Sequence, residues 1–183
     1  MVMKRIARSL SLATGPTFAV TAVLKGIFGG TTEEPVSYVN APQLAAQRGL
    51  NVRESSTATS RDYKSLITLR SGSHSVAGTL ITAGLRTEPR IVVVDDHVVE
   101  VPPSEHMLVV RNDDRPGVIG VVGTALGKAD VSISSMAVGP SPETSTAMMV
   151  ISTTTPAPDV VVEQLRGDEG ILDLHRVTLS TSG

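Results

Sequence analysis

The sequence predicts an α+β chain in two parts: a helix-on-antiparallel-sheet domain over residues 1–102, truncated at its N-terminus, and a ferredoxin-like β-α-β-β-α-β domain over residues 106–183. Three observations carry this. Four short stretches have helical apolar spacing, and the remaining apolar residues alternate or run together as β-branched clusters. Pro102-Pro103-Ser104 lacks two successive backbone donors, so it cannot continue a central strand and marks the domain boundary. Finally, 40% hydrophobic content with two Phe, two Tyr and no Trp leaves the core to Val, Ile, Leu, Ala and Met, which suits thin α/β layers.

In chain order, residues 4–12 alternate loosely as a first strand. Pro16 stands where a helix begins, because its missing N–H is harmless there, and Phe18, Val20, Ala22, Val23, Leu24 and Ile27 form that helix until Gly29-Gly30 stops it. After a polar connection at 31–35, Asn40-Ala41-Pro42 reads as the cap and first turn of a short helix over 43–48, with Gly49 as its left-handed terminator. Strands follow at 66–69, 75–81, 91–94 and 98–101, the last two joined by a hairpin turn at Asp95-Asp96-His97. Beyond the prolines come a strand at 107–110, a helix at 116–128, a strand at 131–138, a turn at 140–143 and a strand at 147–152. A helix opened by Pro158 and ended by Gly167, then an alternating strand at 171–179, complete the order. Right-handed crossovers place both helices of this second domain on one face of a four-stranded antiparallel sheet.

Composition excludes several function classes. The net charge of −2 comes from 16 basic and 18 acidic residues spread along the chain, without the basic stripe a nucleic-acid partner needs. Zero cysteines rules out disulfides, thiolate zinc sites and Cys nucleophiles, and fits a cytoplasmic protein. Lys4, Arg5 and Arg8 before an apolar stretch superficially resemble a signal peptide, but Thr14, Gly15-Pro16, Thr17 and Thr21 interrupt it. No stretch approaches the roughly 18 apolar residues of a membrane span. No glycine fingerprint opens a helix after a strand, so no dinucleotide cofactor is expected. His74, His97, His106 and His175 occur singly, read as surface or strand-end histidines, and offer no metal-ligand spacing. No nucleophile, base and orienter are forced together, so no catalytic residue is assigned.

One constellation has a mechanism. Residues 111–118, R-N-D-D-R-P-G-V, lie between a strand exit and a helix entry. Pro116 sets the first helical turn, Gly117 admits a close backbone or ligand, and the helix N-terminus offers unpaired N–H groups to an anion. Asn112 and Asp114 alternate, so both can point to one side, where an amide and a carboxylate complement the two ends of an α-amino acid. Simple capping explains the same acidic residues, at about 0.3–1 kcal/mol, without any ligand. Both readings stand on these residues alone.

The strings N-D-D-R-P-G-V-I-G-V-V-G-T-A-L-G, V-S-I-S-S-M and A-M-M-V-I-S, from His106 to about Ser180, resemble an ACT domain, a small-molecule-binding regulatory domain of amino-acid metabolism. The first hundred residues carry K-G-I-F, Y-V-N-A-P-Q-L-A-A-Q-R-G, S-V-A-G-T-L and P-R-I-V-V-V-D-D, which resemble the intervening, allosteric substrate-binding domain of long-form D-3-phosphoglycerate dehydrogenases. The whole is similar to the C-terminal regulatory half of that NAD-linked family of serine synthesis. The resemblance implies an amino-acid-sensing module, oligomeric through its ACT domains, with a separate dehydrogenase domain as a further partner. It implies L-serine, or another amino acid, bound between the ACT domains of two subunits by Asn112, Asp114 and Ser132, beside Pro116 and Gly117. Family members usually carry Asn where Ser132 stands, and a hydroxyl replaces fewer bonds than an amide. In the first domain the family's basic anion-binding positions fall on Arg90, near His97, and on Pro102, which weakens that site. Two alternatives accompany this reading: a piece of a complete NAD-dependent phosphoglycerate dehydrogenase, and an ACT-like dimerisation domain without ligand.

Overall fold

The computed structural model describes residues 2–6, 18–28, 35–57, 65–141 and 143–179. The chain divides into two compact units, Met1–Thr79 with Ser180–Gly183, and Leu80–Leu179.

In the first unit, β1 (Val2–Ile6), β2 (Arg53–Thr57), β3 (Leu66–Ser71) and the start of β4 (His74–Ala83) follow the strand order β2-β1-β3-β4. The β1–β3 and β3–β4 pairings are antiparallel, as expected, but β1–β2 is parallel. Parallel neighbours need a crossover, and α1 (Phe18–Phe28) and α2 (Ala41–Gln47) lie between the two strands in sequence. Arg53–Thr57 was not expected as a strand because Arg-Glu-Ser-Ser-Thr has no apolar alternation. The helices bury Val20, Leu24 and Phe28 against Ala41 and Ala45, with Val52 and Leu69 packed on the cluster. Gly49, at φ +69°, ends α2 as expected, with Leu50 N–H donating to Ala45 O at 2.9 Å and Gly49 N–H to Ala46 O at 3.0 Å. Asn40 stands at the N-cap position of α2 as expected, its carbonyl accepting from Leu44 N–H at 3.0 Å, but its side chain makes no capping bond. Its Oδ1 accepts from Ser37 N–H at 2.7 Å and its Nδ2 donates to Pro35 O at 3.0 Å, so it ties the preceding turn instead. The Gly29-Gly30 stop and the later part of the 4–12 strand lie outside the described residues.

In the second unit, the end of β4 turns at Gly84-Leu85 into β5 (Arg86–Val94), which pairs antiparallel with β6 (His97–Val101). Asp95 and Asp96 both have positive φ, 46° and 64°, the geometry of a two-residue hairpin turn whose twist matches its strands. After Pro102-Pro103 the order is β7 (His106–Asp113), α3 (Val118–Lys128), β8 (Ile133–Pro140), β9 (Thr146–Thr153), α4 (Asp159–Gly167) and β10 (Ile171–Thr178). The sheet order β10-β7-β9-β8, all antiparallel, is the predicted ferredoxin-like frame. One face carries Leu108, Val110, Met149, Ile151 and Leu174 under Val122, Leu126, Val162 and Leu165 of the two helices. On the opposite face Met107, Met148 and Val150 meet Val99 and Val101 of β6, with Ile91 and Val94 of β5 packed alongside. The β5–β6 hairpin therefore packs as part of the second compact unit, although Pro102-Pro103 separates it from β7 in sequence.

The exit turn of strand β7 as a candidate effector site

Alternation along β7 puts Asn112 on the same face as Leu108 and Val110, beneath the helices. Asn112 is only 3% exposed. Its Nδ2 donates to the Asp113 carbonyl at 2.6 Å, while its Oδ1 is buried without a partner among the described residues. A buried acceptor left unpaired costs about 1–3 kcal/mol, which sets Asn112 apart in an otherwise apolar column.

Beyond Asn112 the chain is pinned by backbone. Asp113 N–H donates to Gly170 O, Asp114 N–H to Ser145 O and Arg115 N–H to Asp113 O, each at 2.9 Å. Gly170, at φ +90°, lies so close that an added Cβ would meet Val118 Cγ2 at 2.9 Å and Arg115 Nη2 at 3.2 Å. Arg115 is drawn to Glu169 Oε1 at 2.9 Å, with its Nε 3.9 Å from Asp113 Oδ2. The Asp114 carboxylate is exposed and forms no such bond among the described residues.

Pro116 was expected to set the first turn of α3, but it stands before the helix. Gly117, at φ +100°, is the N-cap, and the helix begins at Val118. A left-handed residue cannot join a right-handed helix, so Pro116 belongs to the turn before it. No side chain caps α3, and its first backbone bond from this turn is Val121 N–H to Gly117 O at 3.1 Å. The earlier N–H groups face the exposed 114–117 turn with the partial positive charge of the helix end. Asn112 and Asp114 thus share one turn but not one environment, the first buried and the second exposed.

Ser132 is not part of this cluster within one chain. Its carbonyl accepts from Thr154 N–H at 3.0 Å, beside the Ile133–Thr153 pair, whereas Asn112 pairs with Ala147. The two ends are separated by the length of β9, about 23 Å at ~3.3 Å per residue.

The first-domain anion residues do not converge either. Arg90 donates to Glu88 Oε2 at 2.9 Å and to Pro89 O at 3.1 Å. His97 pairs with Val94, four residues further along β5, or roughly 13 Å at ~3.3 Å per residue. His97, expected as a surface or strand-end histidine, does stand at the start of β6 but is buried: it is 8% exposed, with Nδ1 bonded to Asp95 O at 2.8 Å and Nε2 buried without a partner among the described residues. It opens the inward-facing row of β6, and its place beside a polar turn hid this. Among the described residues no group of three or more His, Asp or Glu is placed to hold a metal ion.

Sequence reasoning missed the orphaned acceptor of Asn112 and the close approach at Gly170. Neither has a signal in one sequence, because both depend on neighbours far along the chain.

Residues 12–95 match the D-3-phosphoglycerate dehydrogenase intervening domain and residues 106–170 match the ACT domain. D-3-phosphoglycerate dehydrogenase from Synechocystis is 37% identical over 164 residues, covering 87% of this chain and 29% of that protein. The enzyme from Archaeoglobus fulgidus is 32% identical over 179 residues, covering 96% of this chain and 34% of its own length. That from Methanocaldococcus jannaschii is 30% identical over 158 residues, covering 86% and 30%. The chain therefore spans about a third or less of the curated relatives it matches, and it consists of an intervening domain of the D-3-phosphoglycerate dehydrogenase type followed by an ACT domain.

Proposed function

We propose that this chain senses an amino acid, L-serine or a close relative, at the turn between β7 and α3. The observation that carries the reading is Asn112, whose buried Oδ1 lacks a partner among the described residues, beside a helix N-terminus that no side chain caps. An α-amino acid answers both once the turn opens to admit it: its ammonium group donates to Asp114 and, with the turn parted, to Asn112 Oδ1, and its carboxylate accepts from the N–H groups of the first turn of α3. Pro116 and Gly117 shape the mouth of the site.

A second copy completes it. β8 is an edge strand whose Ile133, Met136 and Val138 remain 37–39% exposed. Unpaired apolar edges invite strand pairing. In an antiparallel β8–β8 pair the partner's β8 begins where this chain's β8 ends, at Pro140, in the row of Ala147 and Asn112. That arrangement moves a second Ser132 to the Asn112 end, which one chain alone cannot do. We assign domains at 1–102 and 106–183, a cytoplasmic setting, and regulation of a phosphoglycerate dehydrogenase whose NAD-dependent catalytic part lies in a separate domain. Among the described residues no helix is long and apolar enough to cross a membrane.

Light scattering with calorimetry tests this. The expected result is a dimer that binds L-serine, and Ser132→Asn tightening that binding about tenfold through one added hydrogen bond worth about 1–1.5 kcal/mol. A dimer that gives no heat with any of the twenty amino acids favours the alternative of dimerisation alone, for which the hydroxyl at Ser132 speaks.

A further inference from the structure

Strand β8 has one buried residue near its end, Gly139, in an otherwise exposed or half-exposed run. Its φ is not among the left-handed values, so glycine is required here for space and not for backbone conformation. An added Cβ would strike the carbonyl oxygen of Val98 in β6, and would lie 2.9 Å from Val98 C and 3.1 Å from Val99 Cγ1. The first atoms met are backbone, which cannot swing aside as a side-chain tip can.

On the same face, β6 alternates cleanly: His97, Val99 and Val101 are buried, while Val98 is 69% exposed. Val99 and Val101 share one cluster with Met148 and Val150 of β9 and with Ala137 of β8, and β5 adds Ile91 and Val94. Close-packed interiors leave no slack to absorb a shift, so displacement of β8 is passed to β6 and through its hairpin partner to β5.

We propose that β8 and the β5–β6 hairpin open and close as one cooperative unit, so that the hairpin responds to whatever pairs with or binds at the β8 edge. What acts at that edge rests on the function proposed above; the coupling is a property of the single chain.

Amide hydrogen exchange on the full, ligand-free chain tests the coupling. Gly139→Ala is expected to speed exchange at least tenfold in both β8 and the β5–β6 hairpin, with α4 and β10 keeping wild-type rates. Val99→Ala, made on the hairpin side, must speed exchange in β8 as well, because a coupling free energy is reciprocal. Faster exchange confined to the mutated element overturns the proposal, and so does a uniform rise across residues 80–179. If Gly139→Ala does not fold, Val99→Ala alone decides. No ligand enters these measurements, so a chain that ignores every amino acid still tests the coupling, and a failed coupling leaves the calorimetric reading of the site intact.

Discussion

Replacing Asn112 with leucine separates a binding handle from a structural residue. Leucine has the same branched skeleton as asparagine and enters the apolar column of Leu108 and Val110. The substitution removes a buried acceptor that has no partner among the described residues, and relief of such a group is worth about 1–3 kcal/mol. It also removes the Nδ2 bond to Asp113 O, a loss of about 1 kcal/mol, and gains burial of apolar atoms at about 0.8 kcal/mol per methylene equivalent. The balance favours the variant by about 1 kcal/mol or more in the absence of ligand. For a unit of this size that is a rise in melting temperature of about 4–8 °C. Thermal unfolding by circular dichroism reads the first half of the prediction, and calorimetric titration with L-serine reads the second, where affinity should fall at least tenfold. A ligand-free melting temperature lowered by several degrees would refute the reasoning, because Oδ1 would then be satisfied within the fold. Unchanged serine affinity would refute the assignment of the site.

Asp114→Asn keeps shape and much capping ability while removing the charge, so the ligand-free melting temperature should hold and amino-acid affinity should weaken at least tenfold, the loss of a charge-assisted bond worth about 1.5–3 kcal/mol; equal affinity by calorimetry assigns Asp114 to the helix start alone. Because Glu88 occupies the Arg90 guanidinium, Glu88→Gln should strengthen 3-phosphoglycerate binding severalfold and a further Arg90→Ala should erase the gain, whereas no change in either titration retires the anion site. Two glycines with open space around them should respond oppositely. Gly49→Ala, forced to hold φ +69°, should cost about 1 kcal/mol, and Gly26→Ala inside α1 should add about 0.5–1 kcal/mol; equal melting temperatures would contradict the conformational argument.

Much of the architecture was legible because it is local. Apolar period, Pro158 before α4, Gly49 after α2 and the Asp95-Asp96 turn each act within a few residues, and each lies within a residue or two of its expected place. The α3 start was read two residues early because Pro116 is a strong local signal, and only the backbone around Gly117 shows that the left-handed residue comes after it. Asn40 shows the same limit in another form: it holds the expected N-cap position, but its side chain bonds Ser37 and Pro35 rather than the helix.

By itself the sequence determined the order of helices and strands apart from β2, the ACT-type frame and the turn that carries Asn112 and Asp114, since those follow from periodicity and short motifs. Tertiary structure alone decided which of these residues are free to act. Register put Ser132 at the far end of the sheet from Asn112, and pairing gave Arg90 to Glu88. Packing joined the β5–β6 hairpin to the ACT sheet across two prolines that read as a boundary, because Gly139 and Val98 are adjacent in space and forty-one positions apart in the chain. Spacing along a chain constrains neighbours only over a turn or a strand; which distant groups meet, and which polar atom is left without a partner, is settled by how the buried faces fit.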